Sequence, residues 1–219
     1  VLDDYVTTSN IEGLLELNIA SKSISDLTGI EDFTGLILLN CDNNNLTSLD
    51  VSTCVLLQQL SCRVNQLSSL VLNTDLLGLN CFDNDLTSLD LSNNTLLSSL
   101  SLYYNLNPSL TSLDLSSNLS LTSFSLTGSN LTYLDLRNGN NANVTYFKTQ
   151  YTPDLTCIDV DNAVYSTATW TDRAPENTFS QNCNGTLSVD ESILEAKIKS
   201  SIFAVEIGSN GRWPHPGGS

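Results

Sequence analysis

Leu57-Gln-Gln-Leu60-Ser-Cys62-Arg63-Val-Asn65-Gln-Leu67 decides the fold, because the same wording stands on either side of it. Before it runs Leu36-x-x-Leu39-x-Cys41-x-x-Asn44-x-Leu46, and after it Leu76-x-x-Leu79-x-Cys81-x-x-Asn84-x-Leu86. A fourth copy is carried by Leu97, Leu100, Leu102 and Asn105, and weaker ones open at Leu14, at Leu121 with Phe124, Leu126 and Leu131, and at Val144 with Phe147. Self-similarity at so short a period marks a solenoid. The alternation in Leu-x-Leu-x-Cys sends the apolar residues to one face and their neighbours to the other. A single coil cannot bury its own leucines, whereas coils stacked at the strand spacing line them into one apolar column. Seven turns give about 34 Å of ladder.

Each turn has a second half with the same rhythm: Leu46-Thr-Ser-Leu49-Asp50-Val51-Ser52, Leu86-Thr-Ser-Leu89-Asp90-Leu91-Ser92, Leu110-Thr-Ser-Leu113-Asp114-Leu115-Ser116 and Leu131-Thr-Tyr-Leu134-Asp135-Leu136. Both sides of the coil are therefore expected to be extended. The pattern predicts a leucine-rich repeat solenoid, mostly β, a right-handed coil with short parallel strands on both sides and few 3-10 turns. One such turn is expected near Ile24–Phe33, where the apolar spacing is closer to three and four than to two. The organisation follows: 1–13 as the remnant of an N-terminal cap, 14–156 as repeats, 157–183 as a C-terminal cap, and 184–219 as a linker or tail that ends rich in Gly and Pro. Val1–Asn10 is thin cover for an open apolar end, so residues before Val1 are expected.

Asn44, Asn65, Asn84 and Asn105 recur where the chain leaves the strand, where an amide side chain can bond turn backbone that no neighbouring strand reaches. This reads as a structural asparagine ladder. Cys41, Cys62 and Cys81 take the inward third apolar position in successive turns and read as small hydrophobes. A soft-metal or redox site needs four converging ligands or a Cys-x-x-Cys pair, and the sequence has neither. Cys54 lies at a turn. A bridge between Cys157 and Cys183 would staple the last turn over the core and contribute about 3–4 kcal/mol by loop-closure entropy. It would imply an oxidising, extracellular compartment, although pairing is not readable from spacing alone.

The 219 residues carry 8 basic and 24 acidic side chains, a net charge of −16, which argues against nucleic acid and anionic membrane surfaces as partners. No apolar run is long enough to insert in a membrane. The single histidine, His215, lies in the Pro/Gly tail, and no Gly-x-Ser-x-Gly, His-Glu-x-x-His or phosphate-loop motif occurs. The ladder carboxylates are presented alike, without the asymmetric surroundings that separate an acid from a base. No enzyme, cofactor or resident metal is expected.

The wording Leu46–Ser52 and Leu86–Ser92, alternating with LxxLxCxxN, resembles the 21-residue repeats of secreted bacterial leucine-rich repeat proteins, including cysteine-ladder members of the internalin family. Ile24–Phe33, ISDLTGIEDF, is also internalin-like, and the resemblance covers about Leu14 to Cys183. Asp154–Val160 with Tyr165–Trp170 and the closing Cys183 is similar to the end cap of such proteins in bacteria that export through the type IX system. In those, a stretch like Leu187–Ile198 leads into a sorting domain. The resemblance implies a secreted or surface-attached bacterial protein.

Solenoids bind through an extended concave face. The column after the third apolar position reads Ala20, Asp42, Arg63, Phe82, Tyr103, Thr127, Gln150, so Arg63, Phe82 and Tyr103 stand on consecutive rungs, with Tyr104 and Tyr151 one place along. An arginine beside exposed aromatics is hot-spot chemistry, and aromatic faces also stack on sugar rings. These five residues are the candidate ligand-binding set for an extracellular protein or glycan. The competing expectation is a stiff spacer or display rod without a specific ligand. On the other side, Asp50, Asp90, Asp114, Asp135 and Asp159 form a carboxylate ladder whose repulsion needs an offset: serine and threonine hydroxyls, favoured here, or a cation such as calcium, for which no calcium-loop spacing exists.

Overall fold

In a computed structural model of the chain, the described residues are Ile11, 13–103 and 110–184. The chain divides into two units, Val1–Cys183 and Asn184–Ser219. Tyr104, Asn105, the extra residues around Pro108, Leu187–Ile198 and His215 lie outside the described residues.

The first half of each turn is a short strand, and these strands pair in sequence order. The long sheet runs β1 (Glu16–Asn18), β2 (Leu38–Asn40), β4 (Gln59–Ser61), β6 (Gly78–Asn80), β7 (Ser99–Tyr103), β9 (Ser123–Thr127) and β11 (Tyr146–Gln150). Every pairing is parallel and in register, so Leu17, Leu39, Leu60, Leu79, Leu100, Phe124 and Phe147 form one inward column. Beside it stand Cys41, Cys62, Cys81, Leu102 and Leu126, all buried. The stacked order is the solenoid rule made visible, since each coil covers the leucines of the one before. Burial of a single leucine contributes about 1.5–3 kcal/mol, and a column of them makes the coil cohere along its axis.

The second halves are less regular. β3 (Ser48–Asp50) pairs with β5 (Ser69–Val71), and β8 (Ser112–Asp114), β10 (Tyr133–Leu136), β12 (Cys157–Val160) and β13 (Thr178–Ser180) form a separate four-stranded sheet. Between them, Ser88–Asp90 repeats the wording of β3 but is not a strand. The expectation of extended structure throughout the second side is corrected at this turn. A short coil precedes it and a long one follows, so its backbone is not brought into ladder register with either neighbour. Leu89 and Leu91 remain buried all the same. The first turn carries the expected one-turn 3-10 helix, at Ile30–Asp32.

At the C-terminal end the columns change from aliphatic to aromatic. Phe147 stacks on Trp170 at 4.3 Å between ring centroids, and Phe179 meets both rings edge-on. Trp170 ends a seven-residue helix, α1 (Ala163–Thr169), capped by Asn162, whose side chain accepts from the Tyr165 N–H at 3.0 Å. Cys157 and Cys183 are joined by a disulfide with a Cα–Cα distance of 5.8 Å, which ties β12 to the residues just after β13.

Candidate functional site

Parallel register puts three columns of outward side chains on the long sheet. The first reads Glu16, Leu38, Gln59, Gly78, Ser99, Ser123 and Tyr146; the second Asn18, Asn40, Ser61, Asn80, Ser101, Ser125 and Lys148. The third begins where the strands end, at Asp42, Arg63 and Phe82. Over β2, β4, β6 and β7 the first two columns floor a groove of about 350 Å³, lined by Leu38, Asn40, Gln59, Ser61, Gly78, Asn80, Ser99 and Ser101. Its floor side chains are amides, hydroxyls and one leucine, with no charge. Gly78 makes the depression: a Cβ there would stand 2.1 Å from Oε1 of Gln59, so the glutamine amide lies across the space that glycine leaves.

The third column forms one lip. The Arg63 Nε donates to Oδ2 of Asp42 at 2.5 Å, and the backbone N–H of Arg63 and the hydroxyl of Ser61 both donate to Oδ1 of the same carboxylate. The guanidinium carbon sits 5.6 Å from the centroid of the Phe82 ring, in cation–π range. Three successive rungs thus present carboxylate, guanidinium and ring as one connected strip. Asp42 is 4% exposed, so the arginine is held in place by a buried anchor rather than waving in solvent.

Two expectations about this column are corrected. It is not uniformly exposed: Asp42, paired with Arg63, and Thr127 are buried and Phe82 is half-buried. Tyr151 does not join the strip. It is 72% exposed on the last rung of the long sheet, three strand spacings beyond Phe82, about 14 Å along the axis. It lines a different depression with Gln150, Arg173 and Glu176. The backbone of Tyr103 ends β7 beside the groove; its side chain, like all of Tyr104, is outside what is described.

Asn44, Asn65 and Asn84 hold the exit turns together. The amide of Asn84 donates to the carbonyls of Cys62, Cys81 and Phe82, while its oxygen accepts from Leu67 N–H at 3.0 Å. A second asparagine ladder, not recognised from the sequence, runs along the opposite turns. The Asn73 amide donates to Leu57, that of Asn94 to Asn73, that of Asn118 to Leu91 and Asn94, and that of Asn138 to Asn118. Cys54 opens this series, its thiol directed at the Ile30 carbonyl. The signal was present as Cys54, Asn94 and Asn118, each three residues after an inward Val or Leu, but Asn73 and Asn138 break the count.

On the far side, Asp50, Asp90 and Asp114 each accept the N–H of the serine two residues on, at 2.9 Å. The hydroxyl and N–H of Ser52 hold Asp50 below the usual carboxylate range, and those of Ser92 do the same for Asp90. The serine and threonine account does not extend to the last two rungs, where the one hydroxyl on Asp135 is that of Tyr133, at 3.2 Å. Asp135 and Asp159, both buried, are served by Arg137, whose guanidinium bonds Asp135 and lies 3.7 Å from Asp159, and by the Cys183 N–H on Asp159. Among the described residues no group of three or more His, Cys, Asp or Glu side chains is arranged to hold a metal ion. Nor is any helix among them long and apolar enough to cross a membrane.

A parallel β-solenoid with inward leucine columns, a cysteine ladder and asparagine-closed turns is a leucine-rich repeat solenoid. The solved functional domain of InlJ from Listeria monocytogenes, which includes a cysteine ladder, is similar to it, with a TM-score of 0.54 and 26% identity over 68% of this chain and 38% of that one. In sequence, 49 residues, 22% of this chain, are 43% identical to Internalin J of Listeria monocytogenes serotype 4b (strain F2365). That match spans 5% of internalin J, so the likeness concerns the repeats and not the whole of that protein. No family model matches the chain.

Proposed function

We propose that this solenoid is a non-catalytic, extracellular binding module that recognises a protein or glycan through the outer face of its long sheet, with Arg63 and Phe82 along one lip and with Tyr103 and Tyr104, next in the sequence column, as further candidate contacts. The observation that carries the reading is the groove over β2–β7, an uncharged depression of mixed amide, hydroxyl and apolar surface bordered by the anchored Arg63–Phe82 pair in a chain of net charge −16. A purely structural rod has no use for such a local departure from its acidic surface. The likeness to the functional domain of InlJ and the Cys157–Cys183 disulfide, a bond that persists in oxidising compartments, support a secreted or cell-surface location. Tyr151 stands apart and belongs to this site only for a ligand long enough to span the remaining rungs.

Ser99 is exposed on the floor, so Ser99→Trp fills the groove without entering the core. The parent chain, immobilised and offered extracellular proteins and glycans, is expected to retain a partner that Ser99→Trp and Arg63→Glu both release. Equal retention by all three chains would remove this face from consideration. A parent that retains nothing would favour the spacer rod.

A further inference from the structure

Resting on the reading that the outer face of the long sheet binds a partner, we propose that the groove over β2, β4, β6 and β7 takes a neutral polysaccharide lying across the strands, held by the amides of Gln59 and Asn80 and by the row of serine hydroxyls. Three observations carry this.

The first is chemistry. Gln59, Ser61, Asn80, Ser99 and Ser101 are all uncharged groups that donate as well as accept, the complement of a sugar hydroxyl, which does both. An anionic polymer would call for lysines and arginines on the floor, and a cationic one for carboxylates; the floor holds neither.

The second is unmet hydrogen bonding. The side-chain oxygens of Asn18 and Asn40 each accept the backbone N–H two residues on, but that of Asn80, in the same column, is buried without a partner. Buried polar atoms in native proteins are nearly always satisfied, and Asn80 is a half-buried residue lining the groove, so its amide is the group that a ligand lying there can complete.

The third is spacing. Rungs repeat at about 4.8 Å, close to the length of one pyranose residue, whereas an extended peptide laid across the strands advances about 3.3 Å per residue and falls out of step. Phe82, half-buried at the lip, adds an apolar surface of the kind that sugar rings stack on.

The test is affinity electrophoresis of the intact chain through gels containing a mannan, a β-glucan, a xylan or a galactan, with polygalacturonate and hyaluronan as anionic probes. Two variants report on the floor. Asn80→Ala removes an oxygen with no partner in the fold, and Gly78→Ala pushes the Gln59 amide aside. Melting temperatures establish that both remain folded. At least one neutral polymer is expected to retard the parent, with the association constant falling about three- to tenfold in each variant, the worth of one neutral hydrogen bond. Retardation by anionic polymers alone, equal retardation of parent and variants, or none by any neutral polymer would overturn the proposal. A protein partner retained by the parent and released by Ser99→Trp, with no neutral polymer bound, would overturn the glycan and leave the binding face standing.

Discussion

Val64 sits in the left-handed region with φ 53°, on the same turn position as Asn43, Asp83 and Gly128, which share that conformation. Asparagine, aspartate and glycine tolerate it; a β-branched residue does not, because its Cβ crowds the carbonyl that follows. Val64→Asn is therefore expected to raise stability by about 1 kcal/mol, read as a higher urea midpoint with an unchanged slope. A lower midpoint would mean that the valine side chain packs in a way its exposure does not suggest. The ladder thiols make a second residue-scale prediction. Burial pushes Cys41 and Cys81 from 9.0 up to about 12, and Cys62 is also raised, first by burial. The native protein should leave all three unreacted with a thiol reagent at pH 8 and expose them only in denaturant. Because the folded values are raised, the stability these thiols confer is complete below about 9 and is lost as pH climbs towards 12. That the cysteines face inward was legible from their alternation with Ser61 and Asn40, and so was the adjacency of Asp42 and Arg63 in one column; the clamp itself was not, since it depends on the burial of Asp42 and on the Ser61 hydroxyl sharing the carboxylate.

Turns and strands depend on asparagines and one arginine for what leucine packing cannot supply. Asn84→Ala would leave the Leu67 N–H without its acceptor and take one donor each from the Cys62, Cys81 and Phe82 carbonyls, the first and last of which keep Asn65 and the Val64 N–H, so the cost should be about 1–3 kcal/mol by denaturant melt. Arg137 has the same standing in the last sheet. Burial works to raise the pKa of Asp135, yet hydrogen bonds and charge from Arg137 overcome it and hold the carboxyl below its usual value. The sign is thus that of a depressed acid: stability is present above the unfolded pKa near 4 and is lost as pH falls through the lower folded value. Arg137→Ala should cost about 1–3 kcal/mol at neutral pH, a buried-pair figure reduced because the guanidinium is itself 41% exposed. Its melting temperature should then vary less between pH 3 and pH 5 than that of the parent. A variant with the parent's pH profile would show that Arg137 does not set the Asp135 charge. Repeated wording made the strands legible as elements, but Ser88–Asp90 shows the limit: the same letters as β3 form no ladder where neighbouring coils differ in length.

Along the whole solenoid, each coil is stabilised only by the next, so the ends decide how the molecule comes apart. Reduction of Cys157–Cys183 frees the segment after β12 that packs Trp170 and Phe179 on Phe147, and is expected to cost about 3 kcal/mol. The readout is tryptophan emission, with Trp170 shifting red at a lower denaturant concentration than the loss of β-sheet signal in the reduced protein. Coincident transitions would mean that the cap and the coils unfold as one unit. What the amino-acid order determined by itself was everything local and periodic: the coil, the inward leucines and cysteines, the first asparagine ladder. A period of alternation dictates which face a side chain takes before any partner is known. Only the tertiary structure decided which outward residues meet, because register between coils depends on coil length. That register set Gly78 under the Gln59 amide and Arg137 between Asp135 and Asp159, turned the expected neighbours Asp42, Arg63 and Phe82 into an ion pair and a cation–π contact, and placed Tyr151 apart from that strip.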